Sequence, residues 1–188
     1  MQIKNKIVLI SICFFSLIVF GLNLNAEEFN ISAIEISVDK PNDIIIGRGS
    51  VEVIDSEGRI IKGDKATYEK SKELLLVEGS VEIFDTKGNI LKTDKATYDK
   101  IKNIITTYGN SEFIIKEGYK LTSNNILYDT EKKIISSNEN STLTDSDGNI
   151  VTVSMFQYHI EKNLFSSIGK IKIVDVNKNK YYFKELYV

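Results

Sequence analysis

Residues 49–70 read GSVEVIDSEGRIIKGDKATYEK and residues 79–100 read GSVEIFDTKGNILKTDKATYDK, the same phrase thirty residues later. Self-similarity at a fixed spacing of this size marks a repeat architecture. The period extends in both directions. Tyrosines stand at Tyr68, Tyr98, Tyr128 and Tyr158, with Tyr187 following at twenty-nine. Glycines stand at Gly49, Gly79, Gly109 and Gly169, with Glu139 in the missing place. A second series runs Gly58, Gly88, Gly118 and Gly148. Aspartates run Asp55, Asp85, Asp145 and Asp175, interrupted by Ile115. Ile44-Ile45-Ile46 aligns with Leu74-Leu75-Leu76 as a partial copy ahead of the first full unit.

Each unit reads as strands. Val51-Glu52-Val53 and Val81-Glu82-Ile83 alternate apolar and polar, as half-buried strands do. Lys65-Ala66-Thr67-Tyr68-Glu69 alternates with Ala66 and Tyr68 on one face, and Leu74–Val77 is a short apolar run. β-branched and aromatic residues fill these runs, and helical stripes are absent. Asp55-Ser-Glu-Gly58, Asp85-Thr-Lys-Gly88 and Asp145-Ser-Asp-Gly148 are turns. In each, the aspartate accepts backbone N–H groups and the glycine takes a positive φ. The connection near Glu69–Lys72 is a charged hairpin, so a unit is two antiparallel strands bent at the recurring glycine. Pro41, the one proline, precedes the first full unit and interrupts no ladder.

The ends of the chain bear on compartment and assembly. Lys4 and Lys6, the apolar run 7–22 and Leu24-Asn25-Ala26 predict a cleaved secretory signal over 1–26, leaving a single domain over 27–188. The competing reading is a retained anchor, but the run has 16 residues where about 18–20 span a bilayer. Cys13, the only cysteine, lies inside that run, so the exported part has neither a disulfide nor a thiolate site. Without the signal there remain 22 basic and 26 acidic side chains, a mixed and mildly acidic surface with no footprint for nucleic acid. The last residues, Lys184–Val188, align with the middle of a unit and show no polar cap. The expectation is an edge that another protein extends, or a front segment of a longer chain.

The pattern G-[SN]-V-E-[VI]-x-D followed by A-x-Y-[DE]-K occurs at Gly49–Lys70 and Gly79–Lys100, and more loosely at Ser111–Asp129. It resembles the OstA-like family of lipopolysaccharide-transport proteins over essentially all of 30–188. The family comprises a periplasmic bridge protein, the N-terminal domain of an outer-membrane translocon and an inner-membrane member. The resemblance implies an all-β fold, a twisted OstA-like β-jelly-roll of stacked V-shaped antiparallel strands. Lipopolysaccharide would be the ligand, with lipid A acyl chains in the apolar interior. Other OstA-like proteins (LptA-, LptC- or LptD-like) or further copies of the chain would join edge to edge. Length and signal suit the bridge protein, while the uncapped end suits the front of a translocon.

The inward set is expected to include Val51, Val53, Ile60, Ala66, Tyr68, Leu74, Leu76, Val81, Ile83, Ile90, Ala96, Tyr98, Phe113, Ile126 and Tyr128. Core packing explains such residues as readily as lipid contact, and the tyrosines could set hydroxyls at a groove rim or simply be half buried. Asp145–Asn149 lacks the ligand spacing of a calcium loop and reads as a turn. His159 is the only histidine, which excludes the usual His/Cys metal and Cys–His sites. No phosphate loop or nucleophile elbow occurs. Neither cofactor nor catalysis is expected. The alternative function is a structural or adhesive β-solenoid with a filled interior that binds proteins and no lipid.

Overall fold

The computed structural model describes residues 29–188; the expected signal over 1–26 lies outside the described residues. Among the described residues sixteen strands form one continuous antiparallel sheet. β1 (Asn30–Ser32) and β2 (Glu35–Asp39) precede four long strands, β3 (Ile44–Ile54), β4 (Ile60–Glu69), β5 (Leu74–Phe84) and β6 (Ile90–Asp99). Shorter strands follow: β7 (Ile104–Thr107), β8 (Asn110–Ile114), β9 (Lys120–Asn124), β10 (Leu127–Asp129), β11 (Ile134–Ser137), β12 (Ser141–Thr144), β13 (Ile150–Val153) and β14 (Phe156–His159). β15 (Leu164–Val174) and β16 (Lys180–Tyr187) complete the sheet.

Two ladders run through the stack. The first joins β2, the near half of β3, and then β4, β5, β6, β7, β10, β11, β14, β15 and β16. The second joins β1, the far half of β3, and then β4, β5, β6, β8, β9, β12, β13, β15 and β16. Long strands serve both ladders, while β7–β8, β9–β10, β11–β12 and β13–β14 are such strands cut in two at the bend. The ladders face each other across one apolar interior. Phe113 of the second lies 6.0 Å, ring to ring, from Tyr158 of the first. This is the V-stacked, jelly-roll-like all-β fold that the alternation and the resemblance predicted.

The bends are local departures from the ladder. Register shifts fall between Arg48 and Val51, between Glu78 and Val81, and between Ile168 and Ile171. At the first two, a glycine–serine pair holds two successive left-handed residues, Gly49 and Ser50 at φ 73° and 46°, Gly79 and Ser80 at 79° and 47°. A bulge of this kind turns the strand across the interior. Glu139, which stands where glycine is missing, does without a positive φ. Ser137 Oγ accepts its N–H at 3.1 Å and Ser141 Oγ donates to its carbonyl at 2.7 Å. Thr107, Ser111, Ser123, Ser137 and Ser141 of the split strands, and Ser167 of β15, are buried at the bend. Their hydroxyls take up backbone groups that the ladder releases, as in Ile126 N–H to Thr107 Oγ1 at 2.8 Å and Ser167 Oγ to the Met155 carbonyl at 2.7 Å.

The turns behave as their sequence predicts. Asp85 Oδ1 accepts the N–H groups of Lys87 and Asn89 at 2.9 and 2.8 Å, and Asn89 Nδ2 donates to Asp85 Oδ2 at 2.7 Å. Asp145 and Asp175 repeat this with Asn149 and Asn179. Neighbouring turns are also tied: Asn89 Oδ1 accepts the Lys116 N–H at 3.1 Å and Asn149 Oδ1 the Val176 N–H at 3.2 Å. Where Ile115 replaces the aspartate, backbone bonds alone close the turn, Ile115 N–H to Tyr119 O at 2.8 Å and Gly118 N–H to Ile115 O at 2.9 Å.

Two bend glycines separate backbone strain from crowding. A Cβ on Gly79 would lie 2.8 Å from the Asp64 Cβ, while one on Gly109 would meet nothing within 4 Å. Gly109→Ala should therefore cost only the left-handed backbone penalty, about 1–2 kcal/mol. Gly79→Ala should cost clearly more, because Asp64 must move as well. Urea denaturation of the two variants checks the order.

Candidate functional site

The interior is built from alternating positions of facing strands. Val53, Ile61 and Ile83 stand side by side across β3, β4 and β5 and are at most 3% exposed. Leu75, Ile105, Leu121, Ile126 and Ile135 are buried completely. A fully buried side chain of this kind stabilises the fold by about 1.5–3 kcal/mol.

Of the interior residues expected from sequence, Val51, Val53, Ala66, Tyr68, Val81, Ile83, Ala96, Tyr98, Phe113, Ile126 and Tyr128 are buried. Ile60, Leu74, Leu76 and Ile90 are not. They are half-buried on the outer face, and their neighbours Ile61, Leu75, Val77 and Leu91 point inward instead. Successive strand side chains alternate faces, so one residue of each apolar pair must point out. Ile60 and Ile90 lie with Ile54, Phe84 and Ile114 in an outer apolar row. Sequence reasoning also missed Phe29 and Arg59. Phe29 packs edge-on against Tyr68 and Tyr98 at 5.0 and 5.4 Å.

The tyrosines at the thirty-residue period line the open side of the V. Tyr68, Tyr98, Tyr128 and Tyr158 are at most 5% exposed, so they are core residues with little rim exposure. Tyr187 is 60% exposed: its place beside Ser166 puts it on the outer face, and Val188 pairs with Phe165 in its stead. Burial pushes the Tyr128 hydroxyl up to about 12 despite the nearby Arg59 charge. Burial, reinforced by the Glu117 carboxylate, pushes Tyr158 up to about 12 as well. Tyr158 donates to Asn163 Oδ1 at 2.6 Å.

Arg59 belongs to the turn that ends β3, yet it is 2% exposed and reaches across the interior. Its guanidinium carbon lies 5.5 Å from the Tyr98 ring centroid and 5.6 Å from that of Tyr128. Burial opposes its charge, but Asp55, then Tyr98, Tyr128 and Glu57, hold its pKa above the ordinary value. Burial likewise opposes the Glu57 charge, but the Lys133 hydrogen bond and the Arg59 charge lower that carboxyl. Lys133 and Glu57 come from opposite lips of the V.

The interior is uneven along the stack. Over the first units it is packed. Towards the other end a recess of about 90 Å³ opens between Ile115, Tyr119, Leu143, Tyr158, Phe165 and Val188. Beyond it the inward faces of β16 are uncovered, with Tyr181 45% and Phe183 47% exposed. A shallow recess of about 610 Å³ lies at this end too, lined by Val153, Ile171 and Phe183 but also by Thr152, Lys172 and Tyr182 of the outer face, so it is not part of the enclosed interior. Among the described residues no cluster of three or more His, Cys, Asp or Glu side chains is placed to hold a metal.

The profile of the family described as OstA-like protein matches residues 40–153. No curated protein sequence matches the chain. Among solved structures it is similar to LptH from Pseudomonas aeruginosa, described as the LptA-homologous periplasmic component of the conserved lipopolysaccharide transport device. Identity is 19%, with a TM-score of 0.51, over 57% of this chain and 79% of that one. At that identity the likeness is one of fold. The TCP10 domain of Danio rerio CPAP with a STIL peptide aligns over 83% of this chain and 99% of its own at 12% identity. Its TM-score of 0.17 carries no argument.

The raised tyrosines make a pH prediction. A hydroxyl whose folded pKa lies above its unfolded value stabilises the fold fully below the unfolded value, and loses that contribution as pH rises through the folded one. Tyr128 and Tyr158 should therefore withdraw stability between pH 10 and about 12. Tyrosinate absorbance should show a late step from Tyr128 and Tyr158 that coincides with the loss of the far-UV strand signal.

Proposed function

The chain belongs to the OstA-like protein family, and on that premise we propose that it is a periplasmic lipopolysaccharide carrier. Its apolar interior shelters lipid A acyl chains. Its end strands join other OstA-like proteins of the LptA, LptC or LptD kind, or further copies of itself, so that the interiors form one path to the outer membrane.

The observation that carries this reading is an apolar interior, shared by two facing ladders, that runs out uncovered at β16. Each methylene buried from water contributes about 0.8 kcal/mol, so an acyl chain needs no polar chemistry to be held. Among the described residues β16 pairs only with β15, and its other edge is open to strand addition. Tyr182 and Tyr187 on its outer face are 71% and 60% exposed, a concentration of aromatics typical of a contact surface. Transport would draw its energy from another protein, since no nucleotide-binding motif is present in the sequence.

One observation favours a second reading. Val53, Ile61, Ile83 and Leu91 are packed to at most 3% exposure, as in a structural repeat that holds no lipid and binds proteins by its edges. Photo-crosslinking separates the two. With a photoreactive residue in place of Phe113, lipopolysaccharide adducts are expected in cells, and with one in place of the outward Glu82 none are expected. Adducts from Glu82 with none from Phe113 would reject the carrier.

A further inference from the structure

Arg59 departs from its own repeat. The equivalent residues are Asn89, Asn149 and Asn179, with Tyr119 at the third turn. Each of those asparagines donates to the aspartate of its turn, and Asn89 and Asn149 also accept an N–H from the next turn. An asparagine at 59 would serve the turn at no cost of burying a charge. Arg59 instead leaves the column of turns and lies over Tyr98 and Tyr128 of the opposite ladder. Asp55 and Glu57 stand 3.3 and 3.0 Å from its Nη2, without hydrogen-bond geometry, and Nη1 has no partner among the described residues. A buried guanidinium so incompletely satisfied is a poor device for stability alone.

Its position has a consequence for the path of a lipid chain. Arg59 and the Glu57–Lys133 pair both cross from one lip of the V to the other. Phe29 fills the space between Tyr68 and Tyr98 just before them. On the far side lies the apolar recess of Ile115, Leu143, Tyr158 and Phe165. A charged group across an apolar passage stops a hydrocarbon chain, because the chain offers the guanidinium no partner in exchange for the tyrosine faces.

Building on the carrier reading, we propose that Arg59 is a gate: it confines an acyl chain to the recess around Leu143, and the chain advances towards Ile61 and Ile83 only when the Arg59–tyrosine contact opens. Arg59 then stands between the open recess around Leu143 and the packed region around Ile61 and Ile83, which an acyl chain enters only by displacing side chains. Lys133 steadies the closed state from the opposite lip by holding Glu57.

The repeat supplies its own test variants. Arg59→Asn installs the residue of the other turns and can bond Asp55 as Asn89 bonds Asp85. Lys133→Asn installs the residue found at Asn103 and Asn163, which share its left-handed conformation, and leaves the core untouched. Purified protein is incubated with palmitic acid bearing a diazirine at the chain end, irradiated, and the labelled residues are located by mass spectrometry. Far-UV circular dichroism and melting verify the fold of each variant. Wild-type label is expected around Leu143 and Phe165 and to be scarce at Ile61 and Ile83. Arg59→Asn should raise the Ile61 and Ile83 label severalfold, and Lys133→Asn should raise it less. If Arg59→Asn does not fold, Lys133→Asn decides alone. Wild-type label at Leu143 with an unchanged distribution in the folded variants overturns the gate and leaves the carrier standing. Wild-type label already strong at Ile83 also overturns the gate. No label in any protein removes the carrier reading, and the gate with it.

Discussion

A strand that turns across the interior frees backbone N–H and C=O groups, and buried groups of that kind cannot stay unpaired. The whole stack depends on meeting this demand at every bend. Early units meet it with a glycine–serine pair in left-handed geometry, which shifts the register and resumes the ladder on the other leg. Later units cut the strand and let buried serine and threonine hydroxyls take up the freed groups. Once the bends are satisfied, both ladders can run the length of the stack and enclose a single apolar interior.

That constraint explains which parts of the fold were legible. The thirty-residue period, the Asp-x-x-Gly turns and the bend glycines each follow from a backbone requirement that few residues satisfy, so they read directly from sequence. Facing was legible where apolar and polar residues alternate, as at Val51-Glu52-Val53. It was not legible at Ile60-Ile61, at Leu74–Val77 or at Ile90-Leu91, where both faces of a strand are apolar and only the pairing partners decide. Tyr187 shows the sensitivity of the same rule. A spacing of twenty-nine in place of thirty moves it to the outer face.

The interior chemistry was legible only in outline. Alternation gave an apolar interior, but not its division into a packed region and an open one. The division comes from single residues that break the repeat: Phe29 ahead of it, Arg59 in place of asparagine, and Val188 in the last tyrosine's place. Sequence did show that Arg59 differs from Asn89, Asn149 and Asn179. It did not show that the side chain would fold inward, since a surface arginine in a turn is the ordinary outcome.

The asparagine bonds between turns have a mechanical consequence. Asn89 fastens its turn to the one at Ile115–Tyr119, and Asn149 fastens its turn to the one at Asp175–Asn179. Arg59 and Tyr119 occupy the places from which two further fasteners would come, and neither side chain supplies one. The rim carrying these turns is therefore stapled in pairs, with a compliant joint before each staple. A load that spreads the two lips would be taken up at those joints, and the first joint lies beside the one arginine that spans the gap.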